Sequence, residues 1–434
     1  ISACLVGSEM CIRDSDNTVS KLLQLNGSTV ESIKEALKID LTEDKSIELL
    51  TDMENEKLLC RNEVSHDESQ EIEKANFSAL TLMLAQECNM RCSYCYGEGG
   101  EYNNKGIMTE NVAFQAIDYL VKNSTDELLH IAFLGGEPLL NFPLLKKVVE
   151  YCKQISADTG KKFSYTITTN GTLITDNIEK YLTENKIVCQ ISLDGTKEKN
   201  DMNRFFRNKK GSYDVIVEKT KSMRHMNLVT ARATVTPDNS DYKEIFNHLN
   251  ELEFRAIPIA IAQNMVDDEQ FDKILSEYIN YIFYFEELIL TKQYAKAKKM
   301  TDLVNALEKI EFGNVRNNGC GAGRTMFAVD IDGTLYPCHR FVGERKFALG
   351  NIWTGSDNSK FLKMINVRNR DKCSKCWAQN LCLGCCPHEN YTNTNNINLA
   401  SERSCRMAKT IYEKLISVYI KMSDEDKKMM WPED

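Results

Sequence analysis

The sequence predicts an α/β fold: six strand-and-helix repeats in a parallel, partly closed barrel, preceded by a small helical unit and followed by a cysteine-rich module. Three observations carry this. Short apolar runs alternate with helical patterns from residue 78 to 265. Polar and glycine-containing motifs stand where those runs end. Sixteen cysteines are present and they cluster, three from Cys88 to Cys95 and eight from Cys320 to Cys405. With no basic, apolar secretion signal ahead of them, such short spacings point to metal rather than disulfides.

Composition bounds the rest. The chain has 434 residues, enough for two or three domains. No run approaches the roughly 18 to 20 apolar residues of a membrane span. A net charge of −9 argues against nucleic acid or an anionic membrane as the main partner.

Residues 1–17 begin with Ile1, show no period through Ser15, and read as an artefactual segment, which sets Cys4 and Cys11 aside. Residues 18–63 read as a helical unit. Val19 to Leu25 is a short amphipathic turn; Ser28 or Thr29 caps a helix through Leu37, with Glu31 as in a capping box. A third helix is expected from about Lys45 to Lys57, and Leu58-Leu59-Cys60 as a strand start. This is a winged-helix outline, but residues 20–75 hold seven Lys/Arg against fourteen Asp/Glu, the wrong sign for DNA. Residues 64–77 are an acidic linker.

From 78 to 312 the strands fall near 80–85, 130–135, 163–170, 188–193, 231–236 and 258–262. Helices fall near 109–122, 141–157, 175–185, 212–226 and 241–252. Six such units make a partial (β/α)6, TIM-like barrel, two strands short of a full one. A helical bridge over 269–311 carries Phe271, Ile274, Tyr278, Ile282 and Phe285 at core spacing.

In parallel sheets of this kind ligands lie at the carboxyl ends of the strands. After strand 1 comes Cys88-x3-Cys92-x2-Cys95. Three thiolates on one loop are one short of what a four-iron cluster takes, which leaves an iron for a non-protein ligand. Zinc prefers paired knuckles with four closed ligands. After strand 2 comes Gly135-Gly136-Glu137-Pro138, whose glycines permit close backbone approach and whose proline opens a helix. After strand 3 comes Thr168-Thr169-Asn170-Gly171-Thr172, readable as plain turn chemistry. After strand 4, Ser192 and Asp194 point the same way and suit a ribose diol. Arg204, which follows Asn203, offers a guanidinium fork for a carboxylate.

With Tyr94 inside it, the cysteine loop resembles the signature of the radical S-adenosylmethionine (SAM) superfamily. The resemblance implies that Cys88, Cys92 and Cys95 hold a cluster, Tyr94 contacts adenine, and Gly135, Gly136, Glu137 and Pro138 hold the SAM amino group. It also implies that Ser192 and Asp194 meet the ribose and Arg204 the carboxylate. Residues 313–434 are similar to a SPASM domain, with a hairpin signal at Asp332-Gly333 and the series Cys320, Cys338, Cys373, Cys376, Cys382, Cys386 and Cys405. By that likeness Cys373, Cys376, Cys382 and Cys405 ligate an outer cluster, and Cys320, Cys338 and Cys386 an inner one. Cys385, beside Cys386, either closes the fourth inner position or is a buried spare. Three [4Fe–4S] clusters and SAM are the implied cofactors.

The helical unit is similar to the leader-binding element of peptide-modifying enzymes. Together with the auxiliary clusters it implies a peptide maturase of the sactipeptide and ranthipeptide type. Such an enzyme joins a cysteine sulfur to a carbon of a leader-bearing, Cys-containing precursor peptide. The implied electron donor is a flavodoxin or ferredoxin, and the implied location is the cytoplasm. The alternatives are a sulfatase-maturating type enzyme making formylglycine, and a non-catalytic cluster or peptide-binding protein.

Overall fold

A computed structural model of the chain describes residues 75–313 and 319–432, the helix Val30–Leu37, and scattered positions between 21 and 51. The expected strand at Leu58-Leu59-Cys60, most of the third N-terminal helix, and residues 1–17 lie outside the described residues. Thr29 is the cap of Val30–Leu37, its hydroxyl accepting from Ser32 N at 3.2 Å. The described chain divides into two compact units.

The first unit holds residues 75–270 and 320–364. Its strands are β1 (Ala79–Gln86), β2 (Gly106–Ile107), β3 (Leu128–Gly135), β4 (Lys162–Thr169), β5 (Val188–Ser192), β6 (Val229–Val235), β7 (Ile259–Ile261), β8 (Met326–Val329), β9 (Thr334–Tyr336), β10 (Gly350–Asn351) and β11 (Gly355–Ser356). They form one sheet in the order β11-β10-β9-β8-β1-β3-β4-β5-β6-β7, with β2 on the end of β1. Every pairing from β1 through β7 along that path is parallel. The six expected strands are all present, each within two residues of its sequence bounds.

Parallel strands are covered on both faces, so they read as continuous apolar runs. β1 shows this: seven successive residues, Leu80 to Gln86, are buried. The helices between strands start where side-chain caps are available. Thr109, Thr175 and Asp241 accept from the third residue onward in Glu110–Lys122, Asp176–Glu184 and Tyr242–Glu251. Glu110–Lys122 buries Val112, Ala113, Ala116, Ile117 and Leu120, one stripe at helical spacing. Phe142–Thr159 stops at Gly160, which takes the left-handed conformation at φ +75°.

The sheet extends beyond the expected barrel. β8 adds to the other side of β1 in parallel, from Ala79 opposite Met326 to Leu82 opposite Val329. β9 then returns antiparallel across the turn at Asp332-Gly333, where Gly333 has φ +82°. The hairpin signal was legible in the sequence. Its edge pairing with β1 was not, because register between distant strands is decided by tertiary packing.

The second unit holds 271–313, 365–432 and the described N-terminal residues. Helices run over Asp268–Leu290 and Thr301–Glu311, with Phe271, Ile274, Tyr278, Ile282 and Phe285 all buried. Thr301–Glu311 packs on Glu402–Lys421, joined by Lys309 Nζ donating to Tyr412 Oη at 3.2 Å. Near the end of the chain a buried carboxylate, Asp426, accepts from Lys292 Nζ and Tyr294 Oη at 2.7 Å each. Among the described residues no helix is long and apolar enough to cross a membrane.

Candidate active site

The loop that follows β1 carries Cys88, Cys92 and Cys95, all three half-buried thiols. Its shape is imposed by the chain that follows the helix Lys197–Asn203. Arg91 N donates to Phe205 O at 2.8 Å, and Ser93 N to Asn203 O at 2.9 Å. Arg207 donates through Nε and Nη2 to Cys88 O at 3.2 and 2.8 Å. Arg91 gathers the loop from within, donating Nη1 to the carbonyls of Cys88, Met90 and Gly99. Met90 is buried. The three sulfurs are thus held on a fixed loop at the carboxyl edge of the sheet.

The glycines of the second motif have a structural partner. A Cβ on Gly135, at φ +150°, would lie 2.2 Å from Ala85 O. One on Gly136 would lie 2.3 Å from Glu87 O. Gly136 N donates to Ala85 O at 2.7 Å and Glu137 N to Glu87 O at 2.8 Å. The motif is therefore sewn onto the end of β1, directly before Cys88, and any side chain would open that seam. Pro138 begins the short 3-10 turn Pro138–Asn141.

Glu137 is fully buried and joins β3 to β4. Its carboxylate accepts from Leu139 N (3.1 Å), Thr169 Oγ1 (2.6 Å) and Asn170 N (2.8 Å). A carboxylate offers about four lone-pair sites, so one acceptor position is left. Burial pushes the Glu137 pKa up, against these donors and Arg204. Asn170, seen in the sequence only as part of a turn, donates Nδ2 to Asn89 Oδ1 at 2.8 Å and reaches Cys88 Sγ at 3.8 Å. The sequence signal for it was the Asn-Gly pair at a strand end. Its contact with the cysteine loop depends on a residue 82 positions earlier.

The fourth strand end brings Tyr94, Asp194 and Arg204 together. The Tyr94 hydroxyl donates to Asp194 Oδ2 at 2.5 Å and accepts from Arg204 Nη1 at 2.8 Å. The other Asp194 oxygen accepts from Thr234 N at 2.9 Å. Asp194 has no exposure, while Ser192, at the end of β5, is half-buried. Asp194 thus orients Tyr94 and the end of β6. Burial raises its pKa, opposed by Arg204. Arg204 is buried too. Desolvation works against its charge, yet Cys92, Tyr94 and Asp194 hold its pKa well above the ordinary arginine value. Its Nε is buried without a hydrogen-bond partner, a donor with capacity for an anionic ligand.

Burial pushes the Cys88 thiol up to about 11 and raises Cys92 as well, despite the cation at Arg204. Binding of iron offsets this cost, because the metal takes each thiol as a thiolate and releases its proton. The donor set, the unpartnered Arg204 Nε and the seam beside Cys88 fit a three-cysteine cluster with a zwitterionic ligand on its free iron. Among the described residues no three of His, Cys, Asp and Glu converge tightly enough to chelate a single ion. In a polynuclear cluster each sulfur meets a different iron.

Cys338 lies in the same unit. Its neighbours reach the loop through Tyr96: the His339 ring is 6.4 Å from the Tyr96 ring, and the Arg340 guanidinium is 5.4 Å from it. Tyr96 adjoins Cys95, so the two residues that follow Cys338 meet the first cysteine loop at this ring. Cys320 is exposed.

In the second unit Cys373, Cys376, Cys382, Cys385 and Cys405 line one cavity of about 520 Å³. Cys376 N donates to Cys373 O at 3.0 Å, closing the first turn. Cys405 stands in the first turn of Glu402–Lys421. The buried Arg370 donates to Gly384 O (2.7 Å) and Ile365 O (3.0 Å), with Nε unpartnered. Cys385 Sγ is 3.4 Å from Cys382 Sγ, and this hydrogen bond lowers the Cys382 thiol pKa. The four sulfurs expected of the outer cluster are thus brought together. Cys386 does not line that cavity.

Comparison with known proteins places this geometry among relatives. The radical SAM superfamily matches residues 83–252, and the SPASM iron–sulfur cluster-binding domain matches residues 320–377. A cysteine-type anaerobic sulfatase-maturating enzyme of Clostridium novyi is 26% identical over 79% of this chain and 96% of its own length. An uncharacterised protein of Methanocaldococcus jannaschii is 33% identical over 48% of this chain and 74% of its own. Among solved structures, anSMEcpe with bound AdoMet superposes with a TM-score of 0.67 at 22% identity, over 82% of this chain and 98% of that one.

Proposed function

We propose, for a chain that belongs to the radical SAM superfamily and carries a SPASM domain, that it is a peptide maturase forming cysteine-sulfur-to-carbon thioether cross-links. Its cofactors are SAM and [4Fe–4S] clusters. When bound, they supply one-electron chemistry: reductive cleavage of SAM to methionine and a 5′-deoxyadenosyl radical, removal of a substrate hydrogen atom, and acceptance of the surplus electron.

The chain's own residues do the holding. Cys88, Cys92 and Cys95 would ligate the first cluster, on a loop fixed by Arg91 and Arg207. Gly135, Gly136, Glu137 and Pro138 would present the remaining Glu137 acceptor to the SAM amino group. Arg204, charged and with Nε unpartnered, would take the carboxylate. Tyr94 would lie along the adenine and Ser192 would meet the ribose, with Asp194 as the positioning partner of Tyr94. Cys373, Cys376, Cys382 and Cys405 would hold the outer cluster, and Cys338 would belong to the inner one.

One observation carries the choice of chemistry: the contact of Tyr96, next to Cys95, with His339 and Arg340, next to Cys338. It supports a substrate sulfur bound beside Cys338, within reach of a radical made at the first loop. The net change is then one C–H and one S–H replaced by one C–S bond. A cytoplasmic setting with a flavodoxin or ferredoxin donor accompanies this reading.

The second reading is formylglycine formation. It is favoured by the Clostridium novyi relative, matched over nearly its whole length. That match leaves about a fifth of this chain uncovered, room for the leader-binding unit that the thioether reading includes. The products differ: a thioether keeps the sulfur and loses two hydrogens per link, whereas formylglycine loses the sulfur. Mass spectrometry of the peptide after anaerobic turnover separates them.

A further inference from the structure

Cys385 carries a consequence for the auxiliary clusters. It is the third of three successive residues in the left-handed region: Leu383 at φ +55°, Gly384 at +81° and Cys385 at +62°. Only the middle one is glycine. Side chains resist this conformation, and where they hold it the surroundings over-determine it, typically at functional sites. Here the Arg370 guanidinium anchors the loop through Gly384 O and Ile365 O, and Asn390 Nδ2 donates to Gly384 O at 3.0 Å.

The geometric result is specific. The left-handed run curls the chain so that the Cys385 and Cys382 sulfurs face one another at 3.4 Å. Cys385 N approaches Cys382 O at 3.4 Å, and its thiol points toward Ser404 O at 3.6 Å, one residue before Cys405. Cys385 lines the same cavity as Cys373, Cys376, Cys382 and Cys405. Its neighbour Cys386 caps the helix Pro387–Thr394 with an extended backbone, φ −74° and ψ 123°. Cys386 is not among the residues that line that cavity.

Resting on the outer-cluster reading above, we propose that Cys385 is a fifth thiol of the outer site, placed to replace Cys382 as an iron ligand. The exchange breaks the iron bond to the Cys382 sulfur and forms one to the Cys385 sulfur. No electron is transferred: the Cys385 thiol releases its proton, and the freed Cys382 thiolate takes one up. Cys385 is then committed to the outer set and does not serve as a fourth ligand of the inner one.

The test uses the full chain, reconstituted anaerobically with iron and sulfide. Because the fifth thiol faces Cys382, it does not rescue Cys376→Ala, which loses about four irons per chain. Cys382→Ala keeps that iron, and the double variant Cys382→Ala/Cys385→Ala loses it. If Cys382→Ala alone loses as much iron as Cys376→Ala, the proposal is overturned. If Cys376→Ala keeps all its iron, the outer-cluster reading fails and this inference falls with it.

A labelling measurement does not depend on how Cys382→Ala folds. In the loaded wild-type chain, iodoacetamide should modify Cys385 about tenfold more slowly than after chelation of the iron. In Cys376→Ala, Cys385 should react as fast as in the stripped chain. Equal rates in the loaded and stripped wild type contradict the proposal. So does continued protection in Cys376→Ala, which would place Cys385 on the inner cluster.

Discussion

The Tyr94 hydroxyl is 2.5 Å from Asp194 Oδ2 and donates to it, although a hundred positions separate the two residues. The Tyr94 hydroxyl oxygen accepts from Arg204 Nη1, so one phenol ties the cysteine loop to the fourth strand end and to a buried cation. Tyr94→Phe removes this link and leaves both charges short of a partner. A buried group left unsatisfied costs about 1–3 kcal/mol. The variant should therefore melt at a lower temperature and bind SAM more weakly. Calorimetry of unfolding and SAM titration of the reconstituted chain check both.

Gly135 tests the seam beside Cys88. A Cβ there would strike backbone, Ala85 O at 2.2 Å, which has little freedom to retreat. Gly135→Ala should displace the end of β3 from β1 and disturb the first loop. About four irons per chain should be lost, with the auxiliary clusters retained. Iron quantitation and the amount of 5′-deoxyadenosine formed under dithionite report the two effects separately.

Asp426 governs acid stability in the second unit. Burial alone would raise its pKa, but Lys292, Ser423 and Tyr294 overcome this and hold it far below the usual carboxylate range. A depressed carboxylate contributes stability above its unfolded pKa of about 3.9, and that stability is lost as pH falls further toward the folded value. Asp426→Asn removes the charged acceptor and should cost about 2 kcal/mol at neutral pH. The loss should shrink below pH ~4. Chemical denaturation at pH 7 and at pH 3 gives the comparison.

Leu82 lies at the centre of the sheet, fully buried on β1 between β3 and β8. Leu82→Ala should destabilise the first unit by about 2–5 kcal/mol. Iron content should be unchanged in the chains that remain folded. Thermal unfolding followed by circular dichroism measures it.

Local patterns made much of this architecture legible. Apolar runs such as Leu80-Thr81-Leu82-Met83-Leu84-Ala85 marked the strands, and the cap at Thr29 marked the start of Val30–Leu37. The cysteine spacings singled out Cys373, Cys376, Cys382 and Cys405, which line one cavity in the second unit. What the sequence could not show is where distant side chains meet. Asp194 was recognisable as a strand-end carboxylate, yet its engagement with Tyr94 and Thr234 depends on the packing of β5 and β6. The glycines of the Gly-Gly-Glu-Pro motif promised close approach to a ligand. Their near neighbour proves to be the backbone at Ala85 and Glu87. Cys385, readable only as a neighbour of Cys386, lies with Cys382 because of a left-handed loop that no propensity announces.

The central claim meets its most direct test in one anaerobic turnover. The chain, loaded with about twelve irons, is incubated with SAM, dithionite and a leader-bearing, cysteine-containing peptide, and the peptide is weighed by mass spectrometry. The account predicts 5′-deoxyadenosine together with a peptide lighter by two hydrogens per cross-link, its sulfur retained. A peptide of unchanged mass while 5′-deoxyadenosine accumulates, or one that has lost its sulfur, would contradict it.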